Sequence, residues 1–417
     1  MRSFLSRPTV AVVLLWTVSR VVLVAGALKV GPFATPDPLD YSVSHVYHHW
    51  YDVLTGGQFP VGDDSWQYPP GAAAVILAPG LLPFVGYDRA FVLLCALCDA
   101  AVLAGLVRAG RRPGAAGTAA AWLWTLALPL LWTVPWTRLD IVVAALAVAA
   151  LLAAGRRTRG GDLAFGGLVA LGALVKVWPV LLLTGTRSRR AAVAALVTGA
   201  TAGLAALLRW PGAFDFLTAQ RERGIQFESL GALPFHLARH LGWSGRLAVH
   251  YGSTEFLGPY VGVVALLSEL ATVAALGWLV WWRLRSDVGP AWVLPDAALT
   301  AVLLFTVTSR VLSPQYLVWL VALAAVCLLH PGTSQRPVAY LLLAACPLTM
   351  LVFPFLGRAL VDGSPTAATA LAARDLLLLA AALLSARRLR RATAARQPAP
   401  SAGSAEPPRR SAGAGRG

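Results

Sequence analysis

Residues 259–282 read PYVGVVALLSELATVAALGWLVWW, and Arg283-Leu284-Arg285 follow at once. Glu269 is the one charged side chain in that stretch. About 20 mainly apolar residues suffice to cross the hydrocarbon core of a bilayer. The stretch is therefore read as a membrane-spanning helix, and the arginines behind it mark the side on which it ends. Comparable runs recur at 8–28, 88–107, 118–136, 140–155, 191–208, 296–308, 316–330, 338–356 and 367–386, while 71–85 and 163–186 are shorter or interrupted. The pattern predicts an all-α, polytopic integral membrane protein of roughly ten to twelve membrane segments.

Composition agrees. Of the 417 residues, 57% are hydrophobic and 13% charged, against about 25% charged in soluble domains. Mean hydropathy is +0.66. This excludes an ordinary soluble globular protein. The formal net charge of +16 would by itself point to nucleic acid or an anionic surface, with only Lys29 and Lys176 as lysines. The first run ends in Ala25-Gly26-Ala27, which looks like a cleavage site, but it is long for a secretory signal and is read as an uncleaved helix. Cys95, Cys98, Cys327 and Cys346 all lie in apolar runs. They give neither a disulfide framework nor a zinc pattern.

Position explains the charge. The clusters Arg2/Arg7, Arg108/Arg111/Arg112, Arg156/Arg157/Arg159, Arg187/Arg189/Arg190, Arg283/Arg285, Arg336 and the tail from Arg387 all fall on one side if 71–85 does not cross fully and 163–186 enters and returns on the same side, breaking near Lys176–Pro179. That side is the cytoplasm by the positive-inside rule, which places both termini there. It holds 22 of the 35 basic and 4 of the 19 acidic residues. The charge is mostly an orientation signal. Stretches 29–87, 137–139, 209–258, 308–315 and 357–366 then lie outside. Residues 1–386 form one membrane domain, and 387–417, rich in Arg, Ala and Pro, are expected to be a disordered cytoplasmic tail.

Polar residues are costly in a membrane and mark function. The first outer loop is dense in them: Asp37, Asp40, His45, His48, His49, Asp52, Asp63 and Asp64, interleaved with tyrosine and tryptophan. Two readings stand, an aromatic interface loop and an outer-face active site in which a carboxylate accepts a proton from an attacking hydroxyl. His45/His49 and His48/Asp52 are each four apart, but no third ligand is evident and no metal is assigned. Arg20, Arg138, Asp140 and Lys176 lie at or within the membrane. They suit either local ion pairs or an anion site for a lipid-linked phosphate, which arginine holds with a planar fork. Asp99 and Glu269 are also intramembrane, and Arg374-Asp375 reads as a structural pair. The second outer loop offers Arg223, Gln226 and Glu228, and the turn 308–315 offers Arg310 and Gln315, whose side chains could converge with that loop. No phosphate-binding glycine loop and no Gly-x-Ser-x-Gly motif is present, so a nucleotide-driven reaction is not indicated.

Five stretches in order carry a resemblance: Trp50-Tyr51-Asp52-Val53-Leu54 to Trp66-Gln67-Tyr68-Pro69-Pro70-Gly71; Arg138-Leu139-Asp140; Leu174-Val175-Lys176-Val177-Trp178-Pro179; Arg223-Gly224-Ile225-Gln226-Phe227-Glu228-Ser229; and Leu312-Ser313-Pro314-Gln315-Tyr316-Leu317. With these the chain resembles the polytopic GT-C glycosyltransferases, specifically glycosyltransferase family 87, which includes actinobacterial α-mannosyltransferases. The resemblance implies transfer of a sugar, mannose in those members, from a polyprenyl-phosphate carrier to a lipid or glycan hydroxyl on the outer face of the cytoplasmic membrane, with inversion. It implies membrane lipids as surroundings, no nucleic-acid partner and no cofactor, and it leaves divalent-metal dependence open. It also implies an aspartate base in the first outer loop. The family's acidic residue precedes the motif seen here as Tyr47-His48-His49-Trp50. The nearest upstream carboxylate is Asp40, expected as the base, and the next is Asp37. Arg20, Arg138, Asp140, Lys176, Arg223, Gln226, Glu228, Arg310 and Gln315 are expected at the donor phosphate or acceptor. A lipid transporter or flippase, with Arg20, Lys176 and Glu269 on its path, is the rival from another class. The offset of Asp40 from the family position also leaves room for an inactive envelope-assembly scaffold. The excess of alanine and arginine over lysine fits a GC-rich, actinobacterial genome.

Overall fold

A computed structural model describes residues 7–33, 42–63, 65–218 and 223–394. The expected bases Asp37 and Asp40 lie outside the described residues, as does the chain from 395 onward.

The chain forms an all-α membrane bundle. Among the described residues, six helices are long and apolar enough to cross a membrane: Arg7–Ala27, Tyr87–Gly110, Arg189–Arg209, Val261–Arg285, Arg336–Phe355 and Pro365–Thr393. Shorter apolar helices include Ala119–Leu131, Asp140–Ala154, Val293–Thr308 and Tyr316–Cys327. Burial is graded across the bundle. In Tyr316–Cys327 every residue from Leu317 to Cys327 is buried, so this helix is the axis. In Arg189–Arg209 only Ala191 is buried, and Leu196 and Leu208 are exposed. So large an exposed apolar surface would drive association in water, whereas in a bilayer it faces hydrocarbon chains.

The helix ends sort into two sets. At one end, Ala116 N–H donates to Leu329 O at 3.0 Å, Arg157 reaches Gly289 O, Arg187 reaches Ser286 O and Arg388 reaches Ser334 O. The loops rich in arginine therefore meet at this end. At the other, Gln226 N–H donates to Arg310 O at 3.0 Å, and Phe59 stacks on Trp210 with ring centroids 5.2 Å apart. The two interrupted segments form short or broken helices. Ala72–Leu81 spans about 15 Å, half a hydrocarbon core. It stays at the second end, tied by Gly71 N–H to Leu174 O at 2.8 Å. Helix Arg159–Val175 ends where Pro179 would clash with the Val175 carbonyl and could not donate to it. Lys176 turns extended (φ −148°, ψ 135°), and the 3-10 helix Trp178–Gly185 carries the chain back toward the arginine end.

Packing rests on small residues. A Cβ on Gly166 would sit 2.1 Å from Ala191 O, so helices Arg159–Val175 and Arg189–Arg209 touch backbone to backbone there. The last helix runs to Thr393, six residues beyond the expected start of the tail at 387. One small sheet lies in the stretch read simply as an outer loop. Strands Ile225–Gln226, Ser253–Leu257 and Arg246–His250 are antiparallel in that spatial order. The hairpin turns on Tyr251-Gly252, both at positive φ, the backbone that a two-residue turn between twisted strands needs.

Candidate functional site

At the end away from the arginine-rich loops is a cavity of about 620 Å³, walled by residues from eight separate stretches of the chain. Arg138, Lys176, Arg223, Gln226, Glu228 and Gln315 all line it. Ser42, two positions after Asp40, also lines it, as do His45 and His49. The π-helical turn Ser42–Tyr47 separates it from a second cavity of about 580 Å³, whose wall includes Lys29, Phe33, Ser44, Arg89 and Trp132.

Lys176 is placed by the helix break that Pro179 enforces. Its Nζ donates to Asp140 Oδ1 at 2.7 Å. It also stands 4.9, 5.4 and 5.6 Å from the ring centroids of Trp319, Tyr316 and Tyr68. An ammonium favours the electron-rich faces of such rings. Asp140 opens the helix Asp140–Ala154, where the helix dipole favours an anion. Its Oδ2 is buried with no hydrogen-bond partner among the described residues. Arg138, two residues earlier, donates to Thr137 O and Oγ1 and lies 5.9 Å from the Phe353 ring centroid.

The opposite wall is the 223–229 loop. Arg223 Nε donates to Glu255 Oε1 at 2.8 Å, and its Nη2 donates to Ser253 Oγ. Glu255 is fully buried and also accepts from Gly224 N–H at 2.9 Å. Gln226 joins this loop to the 309–316 turn, because its Oε1 accepts from the N–H groups of both Glu228 and Leu312. Arg310 Nη1 donates to Arg223 O at 2.9 Å. Its Nη2 faces Glu269 Oε1 at 3.3 Å, beside a separate groove of about 510 Å³. The second loop and the third turn thus converge, through Arg310 and Gln226. Glu228 is 3% exposed, with Oε2 3.3 Å from Arg374 Nη1, and its own carbonyl accepts from Arg374 Nη2. Burial pushes its carboxyl up from 4.5 to about 7, against the pull of Arg374.

Two groups lie apart from the cavity's chemistry. Arg20 is 5% exposed, and its Nε donates to Asp99 Oδ2 at 2.9 Å. It also donates to the carbonyls of Thr125 and Trp124. Asp99 accepts in addition from Trp16 and Trp124. Together they form a buried tie between three helices. Asp63 braces the first loop by accepting from Ser65 N–H, Ser65 Oγ–H and Trp50 Nε1. Partial burial raises its carboxyl, but these hydrogen bonds outweigh that and hold it below the usual carboxylate range. Tyr316 and Trp319 around Lys176, and Glu255 behind Arg223, are site residues that sequence reasoning left unassigned. The signal for the strand that carries Glu255 was the Tyr251-Gly252 turn between two short runs containing the β-prone Val249, Thr254 and Phe256.

The arrangement is a polar cavity at one end of the helix bundle. Lys176 and Arg223 are held in its wall by the carboxylates of Asp140 and Glu255, and Arg138 by Thr137, so positive charge is concentrated where an anionic group could sit. Among the described residues, no group of three or more His, Cys, Asp or Glu side chains is placed to hold a metal ion.

A model of glycosyltransferase family 87 matches residues 66–314. The match takes in Arg138, Asp140, Lys176, Arg223, Gln226, Glu228 and Arg310. No curated protein matches the chain. Among solved structures it is similar to ArnT from Cupriavidus metallidurans bound to undecaprenyl phosphate, at 17% identity and a TM-score of 0.46, over 92% of this chain and 78% of that one. The apo state of the same protein aligns at 17% identity and a TM-score of 0.45, over 93% and 78%.

Proposed function

This chain belongs to glycosyltransferase family 87, and we propose that it moves a hexose, mannose in the first instance, from a polyprenyl-phosphate carrier to a lipid or glycan hydroxyl on the outer face of the cytoplasmic membrane. The observation that carries the reading is Lys176. One of an ammonium's three N–H donors is held by Asp140, and the side chain lies in the cavity wall.

In this reading Asp40 takes the proton from the acceptor hydroxyl as its oxygen attacks the anomeric carbon. Asp37 is the alternative base. The bond from that carbon to the carrier phosphate breaks, and the phosphate leaves with the electron pair. Lys176 and Arg138 stabilise its growing charge, and Arg223 and Gln315 orient donor and acceptor. Gln226, Glu228 and Arg310 hold the wall that the acceptor approaches. The two cavities on either face of the Ser42–Tyr47 turn suit one substrate each. With the arginine-rich end in the cytoplasm, both described ends of the chain lie there and the cavity opens outside.

The test is conversion of polyprenyl-phosphate-mannose and a membrane-lipid extract by the purified protein, read as product mass. A mass increase of one hexose on an acceptor is expected, with activity lost in Asp40→Ala. Undiminished transfer in both Asp40→Ala and Asp37→Ala overturns the base assignment. Movement of the donor with unchanged mass overturns transfer altogether.

A further inference from the structure

At the end of the bundle away from the cavity, the helices Val261–Arg285 and Pro365–Thr393 finish side by side. Their ends are fastened together. Trp282 Nε1 donates to Thr393 Oγ1 at 2.9 Å, Thr393 Oγ1 donates to Ser286 Oγ at 3.1 Å, and Asp287 N–H donates to Thr393 O at 3.1 Å. Between them is a groove of about 340 Å³ lined by Trp278, Ala386, Arg387, Arg390 and Arg391.

Its charges are unusually placed. The Arg285 guanidinium carbon lies 5.3 Å from the Trp281 ring centroid, and that of Arg390, from the other helix, lies 5.7 Å from the same ring. One indole thus gathers two like charges, which repel unless an anion accompanies them. No carboxylate pairs with Arg285, Arg387, Arg390 or Arg391 among the described residues. The acid nearest in sequence, Asp287, is occupied by Gly289 N–H at 2.9 Å. Neighbouring Arg283 and Arg388, in contrast, are spent on the carbonyls of Thr186 and Ser334. A positive-inside signal needs arginines at this end. It does not need two of them on one ring beside a preformed groove.

We propose that this groove binds the phosphate of an anionic phospholipid headgroup. Basic pockets between transmembrane helices take such headgroups, and tryptophan favours the same depth. A lipid is favoured over a free phosphate because exposed Leu383 lies one helical turn from Ala386 and Arg387, and exposed Leu284 one turn from Trp281, which puts apolar surface for the acyl chains on the same helix faces.

The test uses the full-length protein in detergent. Phosphatidylglycerol and phosphatidylcholine are titrated separately and retained lipid is counted by native mass spectrometry. Phosphatidylglycerol is expected to be retained preferentially, and R285Q/R390Q is expected to lower that preference about tenfold to thirtyfold. R387Q/R391Q, on exposed side chains that leave the indole stack alone, is expected to lower it as well. R111Q/R112Q, at the same end of the bundle, is expected to leave it unchanged. An unchanged preference in both groove variants overturns the proposal, as does an equal loss in R111Q/R112Q. Displacement of the lipid by inorganic phosphate at constant ionic strength overturns the lipid assignment in favour of a free anion.

Discussion

Lys176 Nζ and Asp140 Oδ1 stand 2.7 Å apart, although 36 positions separate them in the chain. The pair joins the start of one membrane helix to the break of the next and sets a cation in the wall of the cavity. Removing one partner of a buried pair leaves an uncompensated charge, at a cost of about 3–5 kcal/mol. Lys176→Met is therefore expected to destabilise the protein strongly, and the double variant Lys176→Met/Asp140→Leu less than Lys176→Met alone. Denaturation midpoints of the three proteins in one detergent check this.

Lys176→Gln separates the charge from the fold. If Lys176 stabilises the leaving phosphate, kcat falls by about 10²–10³, as when one preorganised donor is removed, while KM for the donor changes less. Steady-state kinetics with purified carrier-linked sugar reads the split. A raised KM for the donor with kcat unchanged would instead assign it to ground-state binding.

Glu228 gives a pH signature. Its carboxyl is raised by burial from 4.5 to about 7, so in that window the folded protein binds more protons than the unfolded chain. Its contribution to stability is then full below about pH 4.5 and is lost as pH rises through about 7. Thermal unfolding across this range should show the decline in the wild type and a flatter profile in Glu228→Gln.

Arg20→Met is expected to lower stability by about 3–5 kcal/mol, because Asp99 is left buried without its cation. The folded fraction should keep its KM for the donor, since Arg20 does not line the cavity. A raised KM at full folded concentration would return Arg20 to the binding site.

Gly71→Ala tests the seam between the two interrupted segments. A Cβ there would lie 2.6 Å from Leu174 O, the acceptor of the Gly71 N–H bond. The short helix must move away, at a cost of about 1–3 kcal/mol. The shift is felt two residues on, at Lys176. Both the denaturation midpoint and transfer activity should fall, whereas Gly160→Ala, which meets open space, should change neither.

The membrane bundle and its two-ended layout were legible in the chain itself. Apolar runs of membrane length fix helices, because a backbone in hydrocarbon must satisfy its own hydrogen bonds. The arginine clusters sort the ends, and Pro179 foretells the break at Lys176 by its geometry alone. The residues of the cavity could be collected from polar stretches at one end, yet their partners could not. Arg20 and Lys176 look alike in sequence, each a single cation near an apolar run. One is spent on Asp99 and two carbonyls, and the other is caged beside Asp140 in an open cavity. The difference lies in which helices pack together. So does the reach of Arg374 to Glu228, and that of Arg310 to Arg223, 146 and 87 positions away. Local composition sets the cost of placing a residue in the membrane, which is why the sequence determined the elements and their direction. The role of each charge depends on the low-dielectric neighbours that meet it across the bundle, and only the tertiary structure decided those.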